Sequence, residues 1–171
     1  MYLRYALFAP LQIAFNIFVI LTCWLWAFLA ALLRIEVLPW PLSWVHTHDD
    51  NIYGSRKTGE PMPSTFVKRW TTAMWWLCRN PGYGFSAYVL GFGGDVSITW
   101  TTPEFGSSKG GGAWGRTAVM TTGSGKRYFS FERHWPLFLG RYAKVWLGWT
   151  TNDNGTGRHM LKVMFNPFLT D

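Results

Sequence analysis

Acidic side chains are scarce in this sequence: 9 Asp and Glu stand against 16 Lys and Arg in 171 residues. Glu104 and Glu132 are the only glutamates after Glu60, and no pair of carboxylates has the spacing that two-acid catalysis uses. Cysteine is scarcer still. Cys23 and Cys78 lie far apart with no CxxC spacing, which argues against both a disulfide framework and a structural zinc site and suits a reducing compartment. On spacing alone the two cysteines are not expected to be partners. No GxSxG or HExxH occurs. The stretch TTGSGKR would need Gly at Met120 and Ser or Thr at Arg127 to be a phosphate loop, and the glycine-rich Gly106 to Gly115 lacks GxGxxG spacing and reads as a loop. These absences point away from an enzyme, and no cofactor is expected.

What the chain has in abundance is one apolar run. Tyr5 to Leu33 is 29 residues without a charged side chain, fenced by Arg4 and Arg34. As one helix it would reach roughly 43 Å, beyond the ~30 Å hydrocarbon core of a bilayer. Pro10 suits a first helical turn, so the expected transmembrane helix runs from about Pro10 to Leu33, with Met1 to Ala9 as an interfacial lead-in. The run is too long for a signal-peptide core, and no small-residue cleavage site precedes a polar start. Gln12 and Asn16 share one helix face and would seek hydrogen-bonding partners in lipid, through helix pairing and a homo-oligomer, or else meet water near the headgroups. Basic residues after the run (Arg34, Arg56, Lys57, Lys68, Arg69) outnumber Arg4 before it, so a single pass with a cytoplasmic C-terminal domain is predicted.

Beyond Arg34, Trp40 and Trp44 fit the aromatic belt of a membrane surface, and residues 1–45 read as anchor and interfacial segment. Residues 46–63 read as a polar linker, broken by Gly54, Gly59, Pro61 and Pro63. Within it, His46, His48 and Asp49 form the densest group of metal-ligand types. Two imidazoles fall on one side of an extended segment there, but a third placed ligand and a positioned base are missing, so a polar loop is the first reading and a metal site the alternative. Ser64 then resembles the N-cap of a helix through Cys78. Its apolar face carries Trp70, Trp75 and Trp76, with Lys68 and Arg69 beside them. Such a helix can lie on the membrane, with rings at headgroup depth and cations toward anionic lipid, or cover the sheet that follows, which is preferred.

After Asn80-Pro81-Gly82 the periodicity changes to that of strands. The candidates are 85–92, 96–102, 117–122, 127–132, 142–149 and 159–165, separated by turn clusters. The predicted class is α+β: an N-terminal transmembrane helix, an amphipathic helix, and an antiparallel β-meander, with residues 64–171 as helix plus sheet domain. From Ser64 onward, 12 basic residues face 5 acidic ones, so this domain is basic and suited to anionic lipid. Cations and rings interleave from Arg127 to Trp135 as in a stacking platform for nucleic acid. Strand alternation sends Phe129 and Phe131 to the face opposite Tyr128 and Ser130, so half of those rings belong to a core and nucleic acid is not the expected partner.

The segment WWLCRNPGYGFSAYVLG (Trp75 to Gly91), with VWLGWT (Val145 to Thr150) and MLKVMFNPF (Met160 to Phe168), resembles a group of small uncharacterised proteins of tailed bacteriophages. These share an apolar N-terminus, a helix ending in RNPxYxF and a closing strand before NPF. The resemblance implies a phage-encoded protein meeting a bacterial envelope. The expected function is that of a non-enzymatic inner-membrane accessory protein, acting through lipid or a host membrane protein to modulate the envelope or exclude other phages. A component of the phage particle, a holin-like lysis protein and a membrane-tethered nucleic-acid module are the alternatives.

Overall fold

One helix, α1 (Tyr2–Leu33), takes up the whole apolar run in the computed structural model, which describes residues 1–105, 113–138, 141–152 and 155–170. Pro10 lies inside the helix and not in its first turn, so the expected lead-in is helical as well. An interior proline forfeits one backbone hydrogen bond and costs about 3 kcal/mol. Ring contacts hold the turns before it: Tyr2 and Tyr5 pack on Phe129 at 5.1 and 5.0 Å, and Tyr5 meets Trp149 at 5.9 Å. The chain divides into two compact units, Met1–Ala9 with Gly91–Asp171, and Pro10–Leu90. The division cuts across the expected anchor and the expected domain and leaves the expected linker whole within the second unit, because packing and not composition sets it.

In the helical unit, a 3-10 turn (Leu42–Val45), α2 (Ser55–Thr58), α3 (Phe66–Arg79) and α4 (Tyr83–Tyr88) follow the end of α1. Thr65, not Ser64, caps α3, its side chain accepting from the Lys68 N–H at 3.3 Å. The helix stops where Pro81 bars further helical backbone and Gly82 turns at φ +64°. It runs antiparallel to α1. At one end the Arg69 Nε donates to the Ala31 carbonyl (3.3 Å), further along the Trp70 Nε1 donates to the Trp24 carbonyl (3.0 Å), and beyond the helix the Gln12 Nε2 donates to the Gly82 carbonyl (3.4 Å). Cys23, Ala27 and Ala30 let the two backbones approach, and they share a core with Ala73 and Leu77. The same alignment brings the Cys23 and Cys78 thiols to 3.0 Å, both free, against the expectation that they are unrelated. The helix expected to cover the sheet has its core partners on α1 instead.

Two further expectations change here. The expected linker is partly core: Ile52 and Tyr53 are buried with Leu38 and Val45. Tyr53 donates to the Ala30 carbonyl (3.3 Å), and the Ile52 N–H bonds the Glu36 carbonyl (2.8 Å). Of residues 85–92, expected as a strand, 85–88 belong to α4 and only Phe92 enters a strand. The reason is the close approach of Gly84 to the 3-10 turn: its N–H bonds the His46 carbonyl at 2.7 Å, and a Cβ there would lie 2.2 Å from the Ser43 carbonyl oxygen.

The β-rich unit holds the strands β1 (Phe92–Gly93), β2 (Val96–Phe105), β3 (Trp114–Thr122), β4 (Arg127–Pro136), β5 (Arg141–Trp149), β6 (Arg158–His159) and β7 (Leu161–Thr170). An antiparallel five-stranded sheet has the order β2-β3-β4-β5-β7, and β1 pairs with β6. The five-stranded sheet is the expected meander, broken only where β6 leaves the succession between β5 and β7 to pair with β1. Most of the glycine-rich stretch 106–115 lies outside the described residues. Gly148 is required where it stands: its φ is +94°, and a Cβ would lie 2.1 Å from the Phe129 carbonyl oxygen. Gly148→Ala should therefore destabilise the unit by about 3 kcal/mol through left-handed strain and forced backbone movement, read as a lower denaturant midpoint.

Candidate functional site

Register sorts the side chains of the sheet into two faces. Arg116, Glu132, Trp146 and Met164 stand in one row across β3, β4, β5 and β7, and Trp114, His134, Lys144 and Asn166 in the next. Thr117, Phe131, Leu147 and Val163 line the other face. The charged face is the buried one. Glu132 is 4% exposed, with Arg116 Nη2 at 3.0 Å, Lys144 Nζ bonded to its other oxygen, and His134 Nε2 at 3.7 Å. Arg116 also lies over Trp100 and Trp114 (5.5 and 5.0 Å), while Lys144 and Lys162 flank Trp146 at 4.6 and 5.0 Å. Burial, then the Lys144 cation, hold the His134 imidazole below its ordinary pKa. The apolar face is half-open, with Phe165 69% exposed, which inverts the arrangement of a sheet that meets water on one side.

On α1 the same contrast runs along the helix. Gln12, Val19, Cys23, Ala27 and Ala30 form a buried stripe, and the opposite stripe is open: Leu3, Leu7, Leu11, Ile17, Leu21, Trp24 and Leu32 are exposed, Leu21 at 70%. Composition could not reveal this, because both stripes are apolar. Gln12 and Asn16, expected to pair helices, are engaged within the chain: the Gln12 Nε2 donates to the Asn16 Oδ1 at 2.5 Å.

Of the residues expected at a membrane interface, Trp40, Trp75 and Lys68 are exposed, and Trp44, Trp70 and Trp76 are half-buried. Trp76 is turned inward, over Gly54, and donates to the Thr47 Oγ1 at 3.1 Å. Arg69 is buried, against the expectation that it faces lipid headgroups. Its guanidinium serves the Ala31, Pro63 and Ser64 carbonyls, the first of them an end group of α1 that no helical N–H can reach.

His46, His48 and Asp49 do come together, but not as metal ligands. Among the described residues no three His, Cys, Asp or Glu side chains are placed to hold a metal ion. The His48 Nδ1 lies 3.9 Å from the Asp49 Oδ1. The His46 Nδ1 is 2.6 Å from the Thr47 carbonyl, which can only accept, so this nitrogen carries the proton. Burial, with a contribution from Arg56, lowers the pKa of His46 and favours the neutral ring. His46 and Asp50 line a pocket of about 410 Å³ with Trp40, Trp44, Tyr88 and Arg56, residues that the sequence alone had no means of bringing together.

Comparison with curated proteins gives no match, and comparison with solved structures gives none. A family defined as one of unknown function, DUF7338, matches residues 1–171. The chain, over its whole length, belongs to that family.

Proposed function

We propose that this chain is a non-enzymatic protein of the membrane interface, bound through the open face of α1, that acts by holding lipid or a membrane protein. The observation that carries the reading is that open stripe. α1 is long and apolar enough to cross a membrane, yet only part of it is covered by the chain. A contiguous apolar face running ~48 Å along a 32-residue helix exceeds what soluble monomers leave in water. The protein's own side chains cover the other stripe, where an isolated interfacial helix would present polar residues. A formal charge of +7 adds attraction to anionic lipid.

Two contacts favour α1 lying along the surface. Tyr2 and Tyr5 pack on the sheet, which supports a reading with the amino terminus and the sheet on one side of the membrane, whereas the sequence predicted Arg4 and the C-terminal domain on opposite sides. The chain leaving Leu33 also returns to Gly82 beside Gln12, with Arg69, Asp50 and Asn51 buried on the way. The second reading is a single pass through the inner membrane, favoured by the length of α1. The phage resemblance supplies the setting, a host envelope modulated by an accessory factor.

The test is membrane fractionation with tags at both ends. The protein should stay with membranes in 1 M salt, and in sealed vesicles both tags should be digested, or both protected, together. Complete release by salt would remove the membrane reading, and tags on opposite sides would replace the surface helix with the single pass.

A further inference from the structure

We propose that the pocket beside the 3-10 turn binds a primary ammonium joined to a phosphoryl group, the chemistry of an ethanolamine phosphate headgroup. Two buried residues that line it each carry an acceptor without a hydrogen-bond partner: His46, 3% exposed, through Nε2, and Asp50, 2% exposed, through Oδ2. The roles of both are fixed from behind. The His46 Nδ1 donates its N–H to the Thr47 carbonyl at 2.6 Å, and in the neutral ring that burial favours this leaves Nε2 with a lone pair. The Asp50 Oδ1 accepts from the Asn51 and Arg56 backbone N–H groups at 2.7 and 3.1 Å, which leaves Oδ2 for something else.

Buried acceptors are rarely left unmet, so the pocket calls for a donor. A primary ammonium brings three N–H groups and a positive charge, and satisfies a carboxylate and an imidazole lone pair together. The walls suit the same charge. Trp40 and Trp44 meet edge to face at 6.0 Å, Tyr88 completes the ring-lined side, and aromatic faces attract cations. Arg56 also lines the pocket and is exposed, so it can meet an anion attached to the ammonium. A quaternary ammonium would find the rings but has no N–H for the two acceptors, so the site should discriminate ethanolamine from choline. At about 410 Å³ the pocket is in the range of small-ligand sites.

The headgroup can come from a membrane lipid or from a free phosphoryl compound. Only the lipid source rests on the membrane reading above. Purified full-length protein in a detergent free of amines and phosphate is titrated with O-phosphoethanolamine, phosphocholine and inorganic phosphate. O-phosphoethanolamine should bind at least about tenfold more tightly than either of the others. Arg56→Gln, at an exposed position, should weaken it about tenfold, and Asp50→Asn should abolish the preference over phosphocholine. A second arm measures binding to phosphatidylethanolamine and to phosphatidylcholine vesicles with equal anionic lipid. Preference in both arms assigns the lipid, and preference in the first alone assigns the free compound. Equal binding of the ethanolamine and choline compounds, phosphate binding as tightly as either, or no saturable binding in either arm would overturn the proposal.

Discussion

Ile17→Arg combined with Leu21→Arg should release the protein from membranes while leaving it folded. The two residues stand one helical turn apart on the open stripe of α1, so each exchange removes an apolar side chain from lipid without touching the core. Losing the burial of Ile and Leu costs about 1.5–3 kcal/mol each, or about 3–6 kcal/mol for the pair, and partition into membranes should fall more than a hundredfold. Because both positions are exposed in the protein, folding should change by no more than about 0.5 kcal/mol for each. Flotation with liposomes reads the first quantity and thermal unfolding in detergent the second. An unfolded double variant, or one that still floats, would mean that this stripe faces protein and not lipid.

Glu132→Ala should unfold the β-rich unit or bring it near that point. The carboxylate lies between Arg116 and Lys144 on the buried face, and its removal leaves two cations close together with nothing between them. Breaking a buried ionic group by deleting one partner costs about 3–5 kcal/mol, a large share of the total stability of an ordinary domain. Glu132→Leu together with Arg116→Met and Lys144→Met should cost much less, because no charge is then stranded. Denaturant midpoints of the two variants, followed by tryptophan fluorescence, make the comparison. Equal losses would show that packing, and not charge pairing, holds this face together.

The strands were legible because alternation and turn residues are local signals. Val96, Arg127 and the Tyr142 to Trp149 alternation placed β2, β4 and β5 closely, and from β2 to β5 each strand pairs with the next in sequence, whereas the pairing of β1 with β6 is long-range. Phe85 to Phe92 misled for the same reason: its ring and small-residue pattern suits a strand, but contact between Gly84 and the Ser43 carbonyl decides for a helix, and that contact spans 41 positions of sequence. Arg69 and Trp76 looked like interface residues because cations and indoles often are. Only the end of α1 and the Thr47 hydroxyl, brought near by the antiparallel run of α3, turned them inward.

By itself the sequence determined that one long apolar helix precedes an antiparallel meander, and that the basic excess lies from Ser64 onward. Hydrophobicity, alternation and charge are properties of residues and their near neighbours, so no folding is needed to read them. The tertiary structure decided which stripe of α1 is covered, that Cys23 meets Cys78, that the charged side of the sheet is the inner one, and that His46, Asp50 and Arg56 share a pocket with rings from α4 and the turn after α1. Each of these joins residues far apart in the chain. The side chains had the chemistry from the start, and the return of the chain along α1 gave it a place.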